Sequence, residues 1–312
     1  MEFTEFEALR DDSGRRLDRI LKRIFMSGCF RCENIFKLIR KGLVRVNGEK
    51  SRPDRIVNEG DIISVAAFLL QKEHPEKKQE IFIPRGFSAK TVFKNQHIWI
   101  FSKDAGISVQ PENGAQFCLS NFAAAEYKGS QGGQPLSFRP GPLHRLDKHT
   151  TGLVAFSQSL EGARWFSQEL KNHSVKKTYL AAVENHFSAA EPLRYDDSIG
   201  GKEAHTSIQP LAAGMLGETE ISLVQVQIET GRRHQIRKHC ALHGHPLFGD
   251  TLYGGKKISL SGLSGCRFFL HAWKLSVPEN SLGIPPELTA PVPPLFKAMA
   301  ERAFPGLQDF SS

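Results

Sequence analysis

The sequence predicts an α+β protein in two parts: a small N-terminal module of two helices and a short sheet, then a larger domain with a central, mostly antiparallel mixed sheet flanked by helices. Three observations carry this. Apolar residues recur at helical spacing twice before residue 42 and are followed by a hairpin signal. The stretch QKEHPEKKQE, residues 71–80, is polar throughout apart from its proline and reads as a linker. Beyond it, long runs alternate in polarity as half-buried antiparallel strands do, interleaved with helical runs. A chain of 312 residues with 40% hydrophobic content can fill two cores. The expected division is a module over residues 1–72, a linker over 73–82 and a domain over 83–312.

In chain order, Leu17, Ile20, Leu21 and Ile24 define one face of a first helix. A second runs from Glu33 to Lys41, with Ile35, Leu38 and Ile39 set against Lys37, Arg40 and Lys41, and Gly42 ends it. LVRV then meets Asn47-Gly48, the strongest two-residue hairpin signal, and a short strand follows at Ile62 to Val65. In the larger part, strands are expected at 97–101, 152–156, 179–183, 221–228 and 268–275. Helices are expected at 117–127, 160–171, 235–242 and 295–304. The glycine- and proline-rich residues 128–142 read as a mobile loop.

Composition excludes several classes. No apolar run approaches membrane-spanning length, and MEFTEFEALRDD lacks the pattern of a signal peptide, so a cytoplasmic protein is expected. Five cysteines are too few, and odd in number, for a disulfide framework; Cys29 and Cys32 read as reduced and structural. The net charge of +8 is unevenly spread: residues 14–55 alone carry +9. Such concentration is an electrostatic footprint for a polyanion, and nucleic acid fits it better than a merely solvated face.

Two windows bear chemistry. In HRLDKHTTGL, His144 to Leu153, Asp147 stands beside Arg145 and Lys148, which bias a carboxylate towards its ionised form. Ionised, it could serve as nucleophile, as base or as an arginine's fixed partner; an ordinary surface ion pair is the plain alternative. In TGRRHQIRKHCALHGHPLFGDTLYG, Thr230 to Gly254, Arg232, Arg233, Arg237 and Lys238 converge with four histidines. His239 and His243 would share a helix face, which suggests a metal site, but four cations would repel a dication. Anion handling, with an arginine fork gripping a carboxylate, suits the run better. No metal is expected.

HRLDKHTTGL, KKTYLAAV (176–183), KEAHT (202–206) and the 230–254 run together resemble, in order, the RluA-type family of RNA pseudouridine synthases; DAGISVQP (104–111) looks like that family's first motif. Residues 16–18, IFKLIRKGLVRVNG (35–48) and NEGDIISV (58–65) resemble the alpha-L RNA-binding motif shared with a ribosomal small-subunit protein. The resemblance implies the pseudouridine synthase fold and an isomerase that converts uridine to pseudouridine in structured RNA, chiefly large-subunit (23S) ribosomal RNA, as a monomer and without a cofactor. It implies that Asp147 is the catalytic aspartate, that Tyr179 stacks on the target base, that Arg237 pairs with the catalytic carboxylate and that Arg145 helps extrude the nucleotide. In the module it makes Lys37, Arg40, Lys41 and Arg45 phosphate contacts. The chain departs from the family pattern at Asp104 (usually proline), Thr151 (usually serine) and Gln158 (commonly lysine). A non-catalytic RNA-binding factor and a glycoside or nucleoside hydrolase are the competing readings; the second would need two carboxylates flanking the bond.

Overall fold

In a computed structural model, the residues described are 1–27, 34–71, 82–85, 87, 89–112, 117–129, 133–187, 192–258, 261–263 and 267–307. Cys29, Cys32 and residues 73–81 of the expected linker lie outside them. No helix among the described residues is long and apolar enough to cross a membrane.

The N-terminal part comprises β1 (Phe3–Glu7), β2 (Arg15–Arg16), α1 (Leu17–Ser27), α2 (Ile35–Arg40), β3 (Val44–Val46), β4 (Glu49–Lys50), β5 (Ile56–Val57) and β6 (Ile62–Ala66). The stripe read from the sequence is the buried one: Leu17, Ile20, Leu21, Ile24 and Phe25 pack with Ile39, Val44, Ile63 and Val65. Arg19, Lys22 and Arg23 on the opposite face are exposed. Asn34 caps α2 by accepting from the Lys37 amide at 3.1 Å. Asn47 and Gly48 both take positive φ, as a type I′ turn between β3 and β4 requires. The sheet runs β1-β6-β3-β4, and β1 is an element the sequence reading did not contain.

The larger part comprises β7 (Lys90–Lys94), β8 (Ile98–Lys103), α3 (Leu119–Ala125), β9 (Thr151–Ser157), α4 (Leu160–Lys171), β10 (Lys176–Glu184), β11 (Leu193–Tyr195), β12 (Thr206–Leu216), β13 (Thr219–Ile228), α5 (Gln235–Leu242), β14 (Leu270–Ser276), β15 (Glu287–Thr289) and α6 (Pro294–Ala303). Among the described residues the sheet has the order β11-β12-β13-β10-β14-β9-β8-β7, with β15 beside β14. Its pairings are antiparallel except β14 with β9. This is the expected mostly antiparallel α+β architecture.

Strand β10 lies centrally, and its alternation divides the core. Tyr179, Ala181 and Val183 face one cluster, whereas Leu180 and Ala182 face the cluster covered by α6. Gly152, within the HRLDKHTTGL window, has φ +103°, and a Cβ there would stand 2.1 Å from the Ala272 carbonyl oxygen. The close parallel approach of β9 to β14 therefore requires glycine. Strand β12 escapes a sequence reading because Pro210 and Gly214 interrupt its pattern; a register shift falls between Pro210 and Ala212.

The loop before Asp147 corrects an expectation. Its described residues 133–142 are not free: Asp12, fully buried, accepts from the Leu136 amide at 2.9 Å, the Ser137 amide at 2.7 Å and the Ser137 hydroxyl at 2.6 Å. Asp11 accepts from the Leu160 amide at 2.8 Å at the start of α4. Leu136 packs against the N-terminal core. The two parts thus share one set of contacts at this junction.

Candidate active site

Asp147 sits in the turn between the 133–142 segment and β9, and its carbonyl accepts from the Thr150 amide at 3.0 Å. The carboxylate opens onto a cleft that Arg145, Tyr179, His234 and Arg237 also line. Its side chain is 18% exposed, and two nitrogen-bearing side chains approach it without reaching hydrogen-bond distance: Arg237 Nη1 lies 3.6 Å from Oδ2, and His234 Nε2 lies 3.6 Å from Oδ1. Arg145 and Lys148, the neighbours that the sequence sets beside Asp147, form no ion pair with it among the described residues. Arg145 is exposed at the cleft rim.

Arg237 has a stronger partner than expected. It donates from Nε to Asp250 Oδ2 at 2.6 Å and from Nη2 to Asp250 Oδ1 at 2.7 Å, a buried bidentate pair. Its guanidinium carbon also lies 4.8 Å from the Tyr253 ring centroid and 4.5 Å from that of Phe268. The arginine is therefore fixed by Asp250 and two aromatic rings, and it presents its remaining nitrogen to Asp147. Sequence reasoning left Asp250 unplaced. Its distance from Arg237 along the chain follows no element's period, so nothing local marks it.

The loop holding this arginine is locked by Gln235. Its carbonyl oxygen accepts from the Thr230 hydroxyl at 2.7 Å and from the Arg232 amide at 3.0 Å. Its amide donates to the His205 carbonyl at 2.9 Å and the Thr206 hydroxyl at 3.0 Å. His234, just before α5, adopts φ +57°, a left-handed conformation uncommon for any residue but glycine. Its Nδ1 lies 2.8 Å from the Tyr253 hydroxyl. Burial pulls the His234 pKa down, against the opposing pull of Asp147, so the ring is neutral at pH 7.

Tyr179 is buried on β10 beside the cleft. Burial, followed by the nearby Asp147 charge, pushes its phenol pKa well up, so it keeps its proton at neutral pH. Lys103, absent from the expected site, ends β8 and is buried. Its ammonium donates to the Asp104 and Lys148 carbonyls, each at 2.9 Å, tying the DAGISVQP loop to the backbone next to Asp147. Burial brings its pKa down to about 7, opposed by Asp147, Asp104 and Glu112.

The other expected residues fall as follows. Lys37, Arg40 and Lys41 are exposed on α2 and its end, whereas Arg45 is half-buried, its guanidinium 4.8 Å from the Phe3 ring centroid. His239 has both ring nitrogens engaged, by the Thr206 hydroxyl at 2.9 Å and the Asp197 carbonyl at 3.0 Å. His243 meets the Asp197 carboxylate at 2.7 Å. Both histidines thus tie α5 to the segment after β11. Among the described residues no group of three His, Cys, Asp or Glu side chains is placed to hold a metal ion. Thr151 lies with its hydroxyl 2.8 Å from His271 Nδ1, linking β9 to β14; Asp104 pairs with Lys90 at 2.8 Å on the surface.

Comparison with known proteins gives consistent results. A profile of the RNA pseudouridylate synthase family matches residues 97–242. An RNA pseudouridine synthase of Bacillus subtilis is 31% identical over 226 residues, covering 68% of this chain and 70% of the relative. Ribosomal large subunit pseudouridine synthase D of Xylella fastidiosa is 28% identical over 304 residues, 90% of this chain and 86% of the relative. In fold, the chain is similar to human RNA pseudouridylate synthase domain containing 4, with a TM-score of 0.54, 22% identity and coverage of 68% of this chain and 92% of that one.

Proposed function

The chain belongs to the RluA-type family of RNA pseudouridine synthases, and on that premise we propose that Asp147 is its catalytic residue and that its substrate is large-subunit ribosomal RNA. The observation that carries the first part is the contrast around Arg237. Asp250 holds that arginine bidentately, while Asp147, 3.6 Å away, keeps both oxygens free of hydrogen bonds among the described residues and open to the cleft. The second part is supported by the Xylella relative, whose name assigns it to the large ribosomal subunit.

In this reading the target uridine is flipped out of its helix at a cost of a few kcal/mol, offset by Arg145 at the rim and by stacking on Tyr179. Asp147 attacks either C1′ of the ribose or the uracil ring. The N1–C1′ bond breaks, the uracil turns, and C5 bonds to C1′. The C5 proton leaves and N1 gains one, so the formula of the nucleotide is unchanged and no cofactor enters. Because the Tyr179 phenol keeps its proton, it acts as platform, and the Asp147 carboxylate is the basic group in reach of C5. Arg237 and neutral His234 stabilise the carboxylate when it leaves again.

The module of residues 1–72 adds sequence-independent affinity through Lys37, Arg40 and Lys41. Arg45, laid across Phe3, contributes by holding β3 as much as by meeting phosphate. A hydrolase is disfavoured because the candidates for a second carboxylate are engaged: Asp250 by Arg237, and Glu229 by Arg194 at 2.8 Å.

Release of tritium from RNA carrying 5-tritiated uridine is the direct test. The wild-type chain is expected to release it, and Asp147→Asn to fall to background while still binding the RNA. Near-normal turnover by the Asn variant would overturn the assignment of Asp147. Pseudouridine mapping of ribosomal RNA from cells with and without the protein tests the substrate: an unchanged large-subunit map would reject it.

A further inference from the structure

Beside the cleft lies a second groove, of about 830 Å³ including its open mouth, that shares the wall formed by Arg145, Tyr179 and Arg232. Lys177 lines it, two residues before Tyr179 on the same face of β10. The lysine is only 9% exposed, yet among the described residues its ammonium has neither a hydrogen bond nor an ion pair. Burial alone lowers its pKa, to about 8, and no carboxylate opposes the shift. Glu229, the acid on the same groove, is held by Arg194 on the far side. His144, also on the wall, is kept neutral: burial, then the Lys177 charge, drives its pKa down to about 3. Gly231 lies against the ammonium without a side chain to cover it; a Cβ there would stand 4.0 Å from Nζ, in van der Waals contact.

An unpaired, largely buried ammonium costs folding free energy, and an apolar side chain of the same length would fill the site better. No ion pair joins the ammonium to the Asp147 carboxylate, whose partners among the described residues are Arg237 and His234. Such a charge is useful where an anion arrives from outside. Lys177 and Tyr179 stand about 7 Å apart along one strand face, comparable with the reach from base to phosphate within one nucleotide.

We propose that this groove is a phosphate subsite in which Lys177, with Arg145 and Arg232 at its mouth, binds a backbone phosphodiester flanking the uridine stacked on Tyr179. The inference rests on the pseudouridine synthase reading of the cleft. A single phosphate caught here anchors the flipped nucleotide independently of the contacts made by the N-terminal module.

The test compares wild type, Lys177→Met and Lys177→Arg in binding to a ribosomal RNA transcript, with salt varied as chloride or as inorganic phosphate at matched ionic strength. Wild type is expected to lose affinity more steeply in phosphate than in chloride. The Met variant should lose that excess sensitivity, and its log–log salt slope should be shallower by about 0.7, the value for one phosphate on a single strand. The Arg variant should restore both. The idea is overturned if Met and wild type share one slope, or if phosphate competes no better than chloride with the wild-type chain, a result that needs no variant to fold. Tritium release by wild type is read separately: its absence would reject the reaction while leaving the binding result to decide the subsite.

Discussion

The junction between the two parts and the cleft each contain two aspartates, one filled with donors and one not, and the two unfilled carboxylates differ in what surrounds them. At the junction, Asp12 takes three hydrogen bonds from Leu136 and Ser137, whereas Asp11 takes one from Leu160 and its other oxygen is buried without a hydrogen bond; both residues are buried. In the cleft Asp250 is filled by Arg237, while the Asp147 carboxylate has no hydrogen bond among the described residues, and Arg237 and His234 each lie 3.6 Å from it. A carboxylate whose oxygens are filled by protein donors holds structure; one left open beside a fixed cation is available for chemistry. An unfilled oxygen alone does not make the second use, since that of Asp11 is buried; the Asp147 carboxylate is both unfilled and open to a cleft beside a cation.

The largest effect that would sharpen this contrast is at Asp250. Asp250→Ala would strand a buried guanidinium and should cost roughly 3–5 kcal/mol in denaturant unfolding. Asp147→Ala should change stability far less, since it removes only a loose, partly exposed partner. Equal losses in the two variants would break the distinction between holding and available carboxylates.

Next in size is the junction. Asp12→Ala leaves the Leu136 and Ser137 amides without their acceptor, at roughly 1–3 kcal/mol for each buried group left unmade. Limited proteolysis should then cut within residues 133–142, ahead of Asp147, well before the rest of the domain. Unchanged protection of that segment would mean that the module does not brace the loop before Asp147.

The pH-dependent effect concerns Lys103. Its folded pKa, about 7, lies below its ordinary 10.5. The folded state therefore binds fewer protons than the unfolded one between these values, and stability contributed by the site rises with pH across that window. Below pH 7 both states are charged and the full cost of burying the ammonium is present. The stability of wild type relative to Lys103→Met should accordingly increase from pH 7 towards 10. A flat difference across that range would show that the Lys103 amine titrates normally.

Much of the architecture was legible in advance because it follows from short-range pattern. The helical stripe of α1, the Asn47-Gly48 turn and the limits of α4 and α5 follow from spacings of a few residues, and they agree with the sequence reading. Strand β12 did not announce itself, since Pro210 and Gly214 break the alternation that its neighbours restore by pairing. The loop before Asp147 read as mobile because its composition is that of a loop. Its anchors, Asp11 and Asp12, stand more than a hundred residues away.

The sequence by itself determined the two-part α+β plan, the family and the short list containing Asp147, Tyr179 and Arg237. These depend on local periodicity, net charge and ordered motifs, which survive without a fold. Only the tertiary structure decided which acid Arg237 grips, that Lys103 ties two loops beside Asp147 and that Lys177 faces a groove unpaired. Each of those is a meeting of side chains from different elements, and hydrogen bonds and desolvation act through space, so spacing along the chain carries no record of them.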